Sequence, residues 1–134
     1  MTKNLVLAGI GMMVLVDERT LADDHGSFLI PANISQEGSS VSQLCAEGLQ
    51  EMNPLVKLEN ISKKPSECLE ASIFNGFDAV LAFDMPAHLI AKADSICAGL
   101  NIPFASCNGR GTCGWIFLNP QNRKYVVEVR FSLG

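Results

Sequence analysis

The five cysteines of this chain include no CxxC pair, and only His25 and His88 stand beside them as further soft ligands. That excludes tetrahedral zinc spacing. The thiol count is odd and no base neighbours any of them in sequence. Reduced thiols in an intracellular protein are the simplest expectation, with no catalytic cysteine. No Lys/Arg cluster exceeds the pair Lys63-Lys64, and the net charge is −4. A nucleic-acid partner needs a basic footprint, so none is expected. No apolar run approaches the roughly 20 residues that span a bilayer, so no membrane segment is expected. No small-residue cleavage site follows an apolar core, so no signal peptide is expected. There is no internal repeat, low-complexity tract or linker.

What is present describes a globular chain. Its 134 residues fit one domain, 1–134, and 48% of them are hydrophobic against 18% charged. Lys3–Ala8 reads as the end of a helix closed by Gly9 and Gly11. Met12–Val16 is a short apolar strand of the kind covered on both faces. Val41, Leu44, Cys45, Leu49 and Met52 recur at helical spacing until Asn53-Pro54 stops them. Leu55–Asn60 alternates as a half-exposed strand. Lys64–Asn75 reads as a helix with Pro65 near its start. Phe77–Phe83 and Ile102–Ser106 are buried strands that flank a helix over Pro86–Leu100. Cys97 falls on the inner face of that last helix, and Cys45 on that of the earlier one, where a thiol packs as a small hydrophobe. Alternating helices and strands predict a mostly parallel α/β sheet with helices on its faces. Thr112–Leu118 and Lys124–Phe131, joined by Asn119-Pro120-Gln121-Asn122, read as an antiparallel edge hairpin.

Asp17 ends the first strand, at the carboxyl edge where open α/β sheets bind ligands. An acid there grips ribose hydroxyls, or it caps the loop. No Gly-rich phosphate turn lies upstream of Lys3, so such a site lacks its phosphate cradle. Asp23-Asp24-His25 reads as a solvated loop rather than a metal or acid–base cluster. Cys107–Gly114, CNGRGTCG, reads as a connector into the hairpin, with an anion-binding loop around Arg110 as the alternative. Cys107 and Cys113 fall near each other across that loop. Trp115 is either half-buried core or an anchor for a partner. The residues themselves assign no catalytic group and no metal ligand.

The phrases NLVLAGIGMMVLVDE (4–18), SFLI (27–30), Leu49–Pro54, FDAVLAF (77–83) and CNGRGTCGWIF (107–117) come in an order that resembles the enzymes activating ubiquitin-like proteins, the ThiF-type family. GRGTCGWIFLNPQNRKY (109–125) is most similar to the small subunits of SUMO-activating enzymes, plant forms in particular. The resemblance implies an incomplete Rossmann-like three-layer α/β fold without the first strand and phosphate loop. It matches Asp17 to the ribose-binding acid, a vestigial cofactor-binding position. The family's loop arginine falls on Gly26, the neighbouring amide on His25 and the helix lysine near Val41. Its metal-binding acid falls on Met85, with Asp84 one residue early. Losing the cations should abolish adenylation. The implied role is a pseudoenzyme: a non-catalytic subunit with no cofactor of its own, heterodimeric with a catalytic subunit that holds ATP, magnesium and SUMO. The implied location is the nucleus and cytoplasm. The alternatives are an adenylating enzyme for another ubiquitin-like modifier and a non-functional truncated paralogue.

Overall fold

The computed structural model describes residues 1–21, 29–30 and 38–124. The chain divides into two compact units, Met1–Cys68 and Leu69–Gly134.

In the first unit, helix α1 (Thr2–Leu7) precedes strand β1 (Met12–Val16), helix α2 (Val41–Met52) and strand β2 (Lys57–Ile61). β1 and β2 pair in parallel, from Met12 opposite Lys57 to Val16 opposite Ile61. Helical spacing turns Val41, Leu44 and Leu49 inward on α2, where all are buried. Val6, Leu49 and Val56 form the centre of this core, with Ile10, Met13, Leu15, Leu29 and Leu58 packed around it. Asn53 leaves α2 in an extended conformation, as expected before Pro54. Its Nδ2 donates to the Val6 carbonyl at 2.9 Å and so ties α2 to α1. Gly48 lies mid-helix for a steric reason. A Cβ there would stand 2.5 Å from the Leu29 carbonyl oxygen.

The second unit holds helix α3 (Ala71–Phe74), strand β3 (Val80–Phe83), helix α4 (Ala87–Leu100) and strands β4 (Phe104–Arg110) and β5 (Cys113–Asn119). The sheet order is β3-β4-β5. β3 and β4 are parallel, and β4 and β5 antiparallel. Ile90, Ala93 and Cys97, at helical spacing on α4, are buried with Leu69, Phe74, Ala82, Ile102 and Phe104. Pro86 precedes α4 as its N-cap, and Asn101 ends it in the left-handed region, φ 54°. The Ile102 N–H then donates to the Cys97 carbonyl at 2.9 Å, which closes the last turn.

Parallel pairs, flanking helices and an antiparallel edge are the α/β class expected. Several local expectations change. The strands read as buried at Met12–Val16 and Phe77–Phe83 leave Met12, Leu81 and Phe83 exposed. The helix over Lys64–Asn75 is a 3-10 turn at Pro65–Cys68 and a separate α3, because Glu70 is extended at φ −133° and ψ 142°. CNGRGTCG is no connector: it is the end of β4, a two-residue turn and the start of β5. Gly111, at φ 58°, supplies the positive angle needed at the first position of a type II′ turn. The strand read over 112–118 therefore pairs with β4 on its amino-terminal side. Beyond Lys124, the strand read over 124–131 lies outside the described residues.

Candidate functional site

Asp17 follows Val16 directly and stays tied to the sheet, its N–H donating to the Ile61 carbonyl at 3.2 Å. The parallel β1–β2 pair thus delivers this acid to its carboxyl edge. Two residues on, Arg19 folds back over it. Arg19 Nη2 lies 2.7 Å from Asp17 Oδ2, Nε lies 3.1 Å from both carboxylate oxygens, and the Arg19 N–H donates to Oδ1 at 3.0 Å. Burial pushes the Asp17 carboxyl up. The hydrogen bonds and charge of Arg19 outweigh that and hold it below the usual carboxylate value. The acid is therefore ionised at neutral pH, with both oxygens already engaged.

Hydroxyls collect beside it at the start of α2. Ser42 is buried, and its Oγ lies 2.8 Å from Ser40 Oγ. Ser42 Oγ also donates to the Asp17 carbonyl at 3.5 Å, and Ser62 Oγ donates to Ser40 Oγ at 2.6 Å. The Val41 N–H donates to the Arg19 carbonyl at 3.0 Å. Lys64 Nζ reaches Glu18 at 4.0 Å. Sequence reasoning singled out Asp17 but missed Arg19 and the three serines. The Asp-Glu-Arg spacing was the available signal for the arginine; the serines meet only through the fold. Asp23, Asp24, His25 and Gly26 lie outside the described residues.

In the second unit, the carboxyl ends of β3 and β4 bring Asp84 and Arg110 together. Asp84 takes φ 52° as it leaves β3, and its N–H donates to the Cys107 carbonyl at 3.1 Å. Arg110 Nη2 meets Asp84 Oδ1 at 3.4 Å, with both side chains well exposed. Met85, the other candidate for the family's acidic position, packs against the core. A shallow depression of about 280 Å³ at the hairpin tip is lined by Asn108, Arg110, Cys113, Gly114 and Trp115. Asn108 Oδ1 is shielded there with no partner among the described residues.

None of the five cysteines is in a disulfide. Cys107 pairs in register with Ile116, and Cys113 with Arg110. Alternation along the strands then puts the two thiols on opposite faces of the hairpin, so their nearness in sequence brings no pairing. Burial, aided by the charge of Asp94, pushes the Cys97 thiol up to about 11. Trp115 is 44% exposed, and Phe117 packs at 6.3 Å on the ring of buried Phe104. Among the described residues, no group of three His, Cys, Asp or Glu side chains is placed to hold a metal ion. No described helix is long and apolar enough to cross a membrane.

No family model matches the chain. It is 32% identical over 131 residues to SUMO-activating enzyme subunit 1B-1 of Arabidopsis thaliana, covering 94% of this chain and 41% of that protein. It is 34% identical over 132 residues to SUMO-activating enzyme subunit 1 of Bos taurus, covering 94% and 36%. The chain is a relative of SUMO-activating enzyme subunit 1. It spans about two fifths of the length of the plant subunit. Among solved structures, Escherichia coli MccB with succinimide superimposes with a TM-score of 0.69 at 15% identity, over 91% of this chain and 37% of that one. PaaA superimposes with a TM-score of 0.63 at 16% identity, over 79% and 35%. These two likenesses show the fold, a Rossmann-type α/β arrangement. The subunit 1 relationship runs through both units and includes the Asp17 edge and the β4–β5 hairpin.

Proposed function

We propose that the chain is a non-catalytic partner in SUMO activation, acting through its surface on a catalytic subunit. The observation that carries this reading is the likeness to subunit 1 of SUMO-activating enzymes over 94% of the chain, in both plant and animal forms. Asp17 supports the non-catalytic part. Its carboxylate is occupied by Arg19, and Gly26 and Val41 stand where the resemblance puts family cations. Phosphoryl and adenylyl transfer depend on cations aimed at the phosphate oxygens, and these two positions supply none. On this reading ATP, magnesium and SUMO are held by the partner, and the complex works in the nucleus and cytoplasm.

Co-expression with a catalytic SUMO-activating subunit tests it, followed by size exclusion and a SUMO-thioester assay. The expected result is co-elution with ATP-dependent thioester on the partner, unchanged by Asp17→Ala. Failure to co-elute removes the partner role. ATP–pyrophosphate exchange by the chain alone, lost in Asp17→Ala, overturns the non-catalytic reading.

A further inference from the structure

A cleft of about 440 Å³ runs between the amino-terminal half of α4 and strand β5, a volume that suits a small ligand. Ala87, Ile90, Ala91 and Asp94 line it from the helix, and Trp115 and Phe117 from the strand. Asp94 is the single charged residue among these. Its Oδ1 accepts from Asn119 Nδ2 at 2.8 Å, and its Oδ2 accepts no hydrogen bond among the described residues. Both aromatic rings are partly exposed. In register, Phe117 stands opposite Ser106 and Trp115 opposite Asn108. Strand alternation puts these four side chains on the α4 side of the sheet, in line with the Asn119–Asp94 bond and the Phe104–Phe117 contact. Ser106 Oγ and Asn108 Oδ1 are buried there without a hydrogen-bond partner, and Ser106 as a whole is only 2% exposed. Buried polar atoms without partners are rare and costly, so each calls for an occupant.

A carboxylate, two aromatic rings and unpartnered oxygens beneath them select one kind of ligand. Asp94 repels an anion, and a plain hydrocarbon gives the oxygens no donor. A cation is drawn both to the carboxylate and to the electron-rich faces of the rings. We propose that the α4–β5 cleft binds a small protonated primary amine carried on an aromatic body. The ammonium donates to Asp94 Oδ2, and the body packs against Ile90 and the two rings. A second N–H of the same ammonium reaches Ser106 Oγ once the partly exposed Phe117 ring turns aside. The site shares no residue with the Asp17 edge or the Asp84–Arg110 pair, and the inference is independent of the SUMO-activation reading.

Trp115 is the single tryptophan of the chain, so its emission reports on the cleft directly. Titration of the full chain with phenethylamine should shift that emission to the blue and saturate, with a dissociation constant on the order of a millimolar. Phenylpropionate, of like shape with a carboxylate in place of the ammonium, should give no saturable shift. Asp94→Asn keeps an oxygen for Asn119 and removes the charge, so it should weaken the amine about tenfold. Asp78 is an exposed acid that does not line the cleft, so Asp78→Asn should leave the affinity unchanged. That variant controls for the general attraction of a cation to a chain of net charge −4. Far-UV circular dichroism checks both folds, and the contrast of amine with acid in the unaltered chain decides the question even if Asp94→Asn does not fold. A shift that fails to saturate, equal responses to amine and acid, or equal weakening in the two variants overturns the proposal and leaves Ser106 and Asn108 to water alone.

Discussion

Arg19 and Asp17 occupy one short stretch of chain, and their pairing decides the protonation of the acid. With Arg19 present, the Asp17 carboxyl lies below its ordinary value although burial opposes this. Arg19→Ala leaves the burial and removes the opposing charge and side-chain bonds, so the carboxyl should rise above its ordinary value. The sign of the stability effect follows. In the native chain the depressed value contributes stability above the unfolded carboxyl value, about 3.9, and that contribution fades as pH falls through the folded one. In the variant it becomes a penalty above about pH 4. The arginine side chain is 54% exposed and that of Asp17 26%, so solvent holds the pair to about 0.5 kcal/mol. A carbon-detected NMR titration of Asp17 in both proteins measures this. An unchanged titration midpoint in the variant would remove the assigned role of Arg19.

At the scale of elements, two glycines on helices separate space from propensity. Gly48 of α2 faces the Leu29 carbonyl, with 2.5 Å available to a Cβ, whereas Gly99 of α4 has nothing within 4 Å. Alanine is the better helix former by about 1 kcal/mol. Gly99→Ala should therefore stabilise by about 0.5–1 kcal/mol. Gly48→Ala should destabilise by about 1–3 kcal/mol, since backbone must move. Urea unfolding of the two variants checks the opposite signs. Much of the element pattern was legible in the sequence for a local reason. β1 and α2 each carry one uninterrupted apolar signal, and Asn53-Pro54 marks where α2 stops. The break at Glu70 was not legible, because a helical composition continues through it. Strand partners were not legible either. Thr112–Leu118 has suitable neighbours on both sides in sequence, and a short glycine turn lets it take the earlier one. At the candidate site, Asp17 was visible from its place after an apolar strand. The serines meet it only when α2 and β2 return to the same edge, which no spacing encodes.

Over the whole molecule, the net charge is small and β5 carries exposed apolar side chains. The net charge of −4 at pH 7 vanishes near pH 5.0, the sequence isoelectric point. Self-repulsion then disappears while the Ile116 and Leu118 side chains remain exposed on β5, so apolar contacts between molecules become adhesive. The Asp17–Arg19 pair does not break at that pH, because the depressed carboxyl is still ionised there. Loss of solubility near pH 5 should accordingly come from folded molecules. Turbidity should peak near pH 5 while the far-UV circular dichroism of the soluble fraction keeps its pH 7 shape. Ile116→Lys adds a charge to that strand without touching either core, so it should lower the peak. A spectrum that loses helix before turbidity rises would instead assign the precipitation to unfolding, and the exposed strand would no longer explain it.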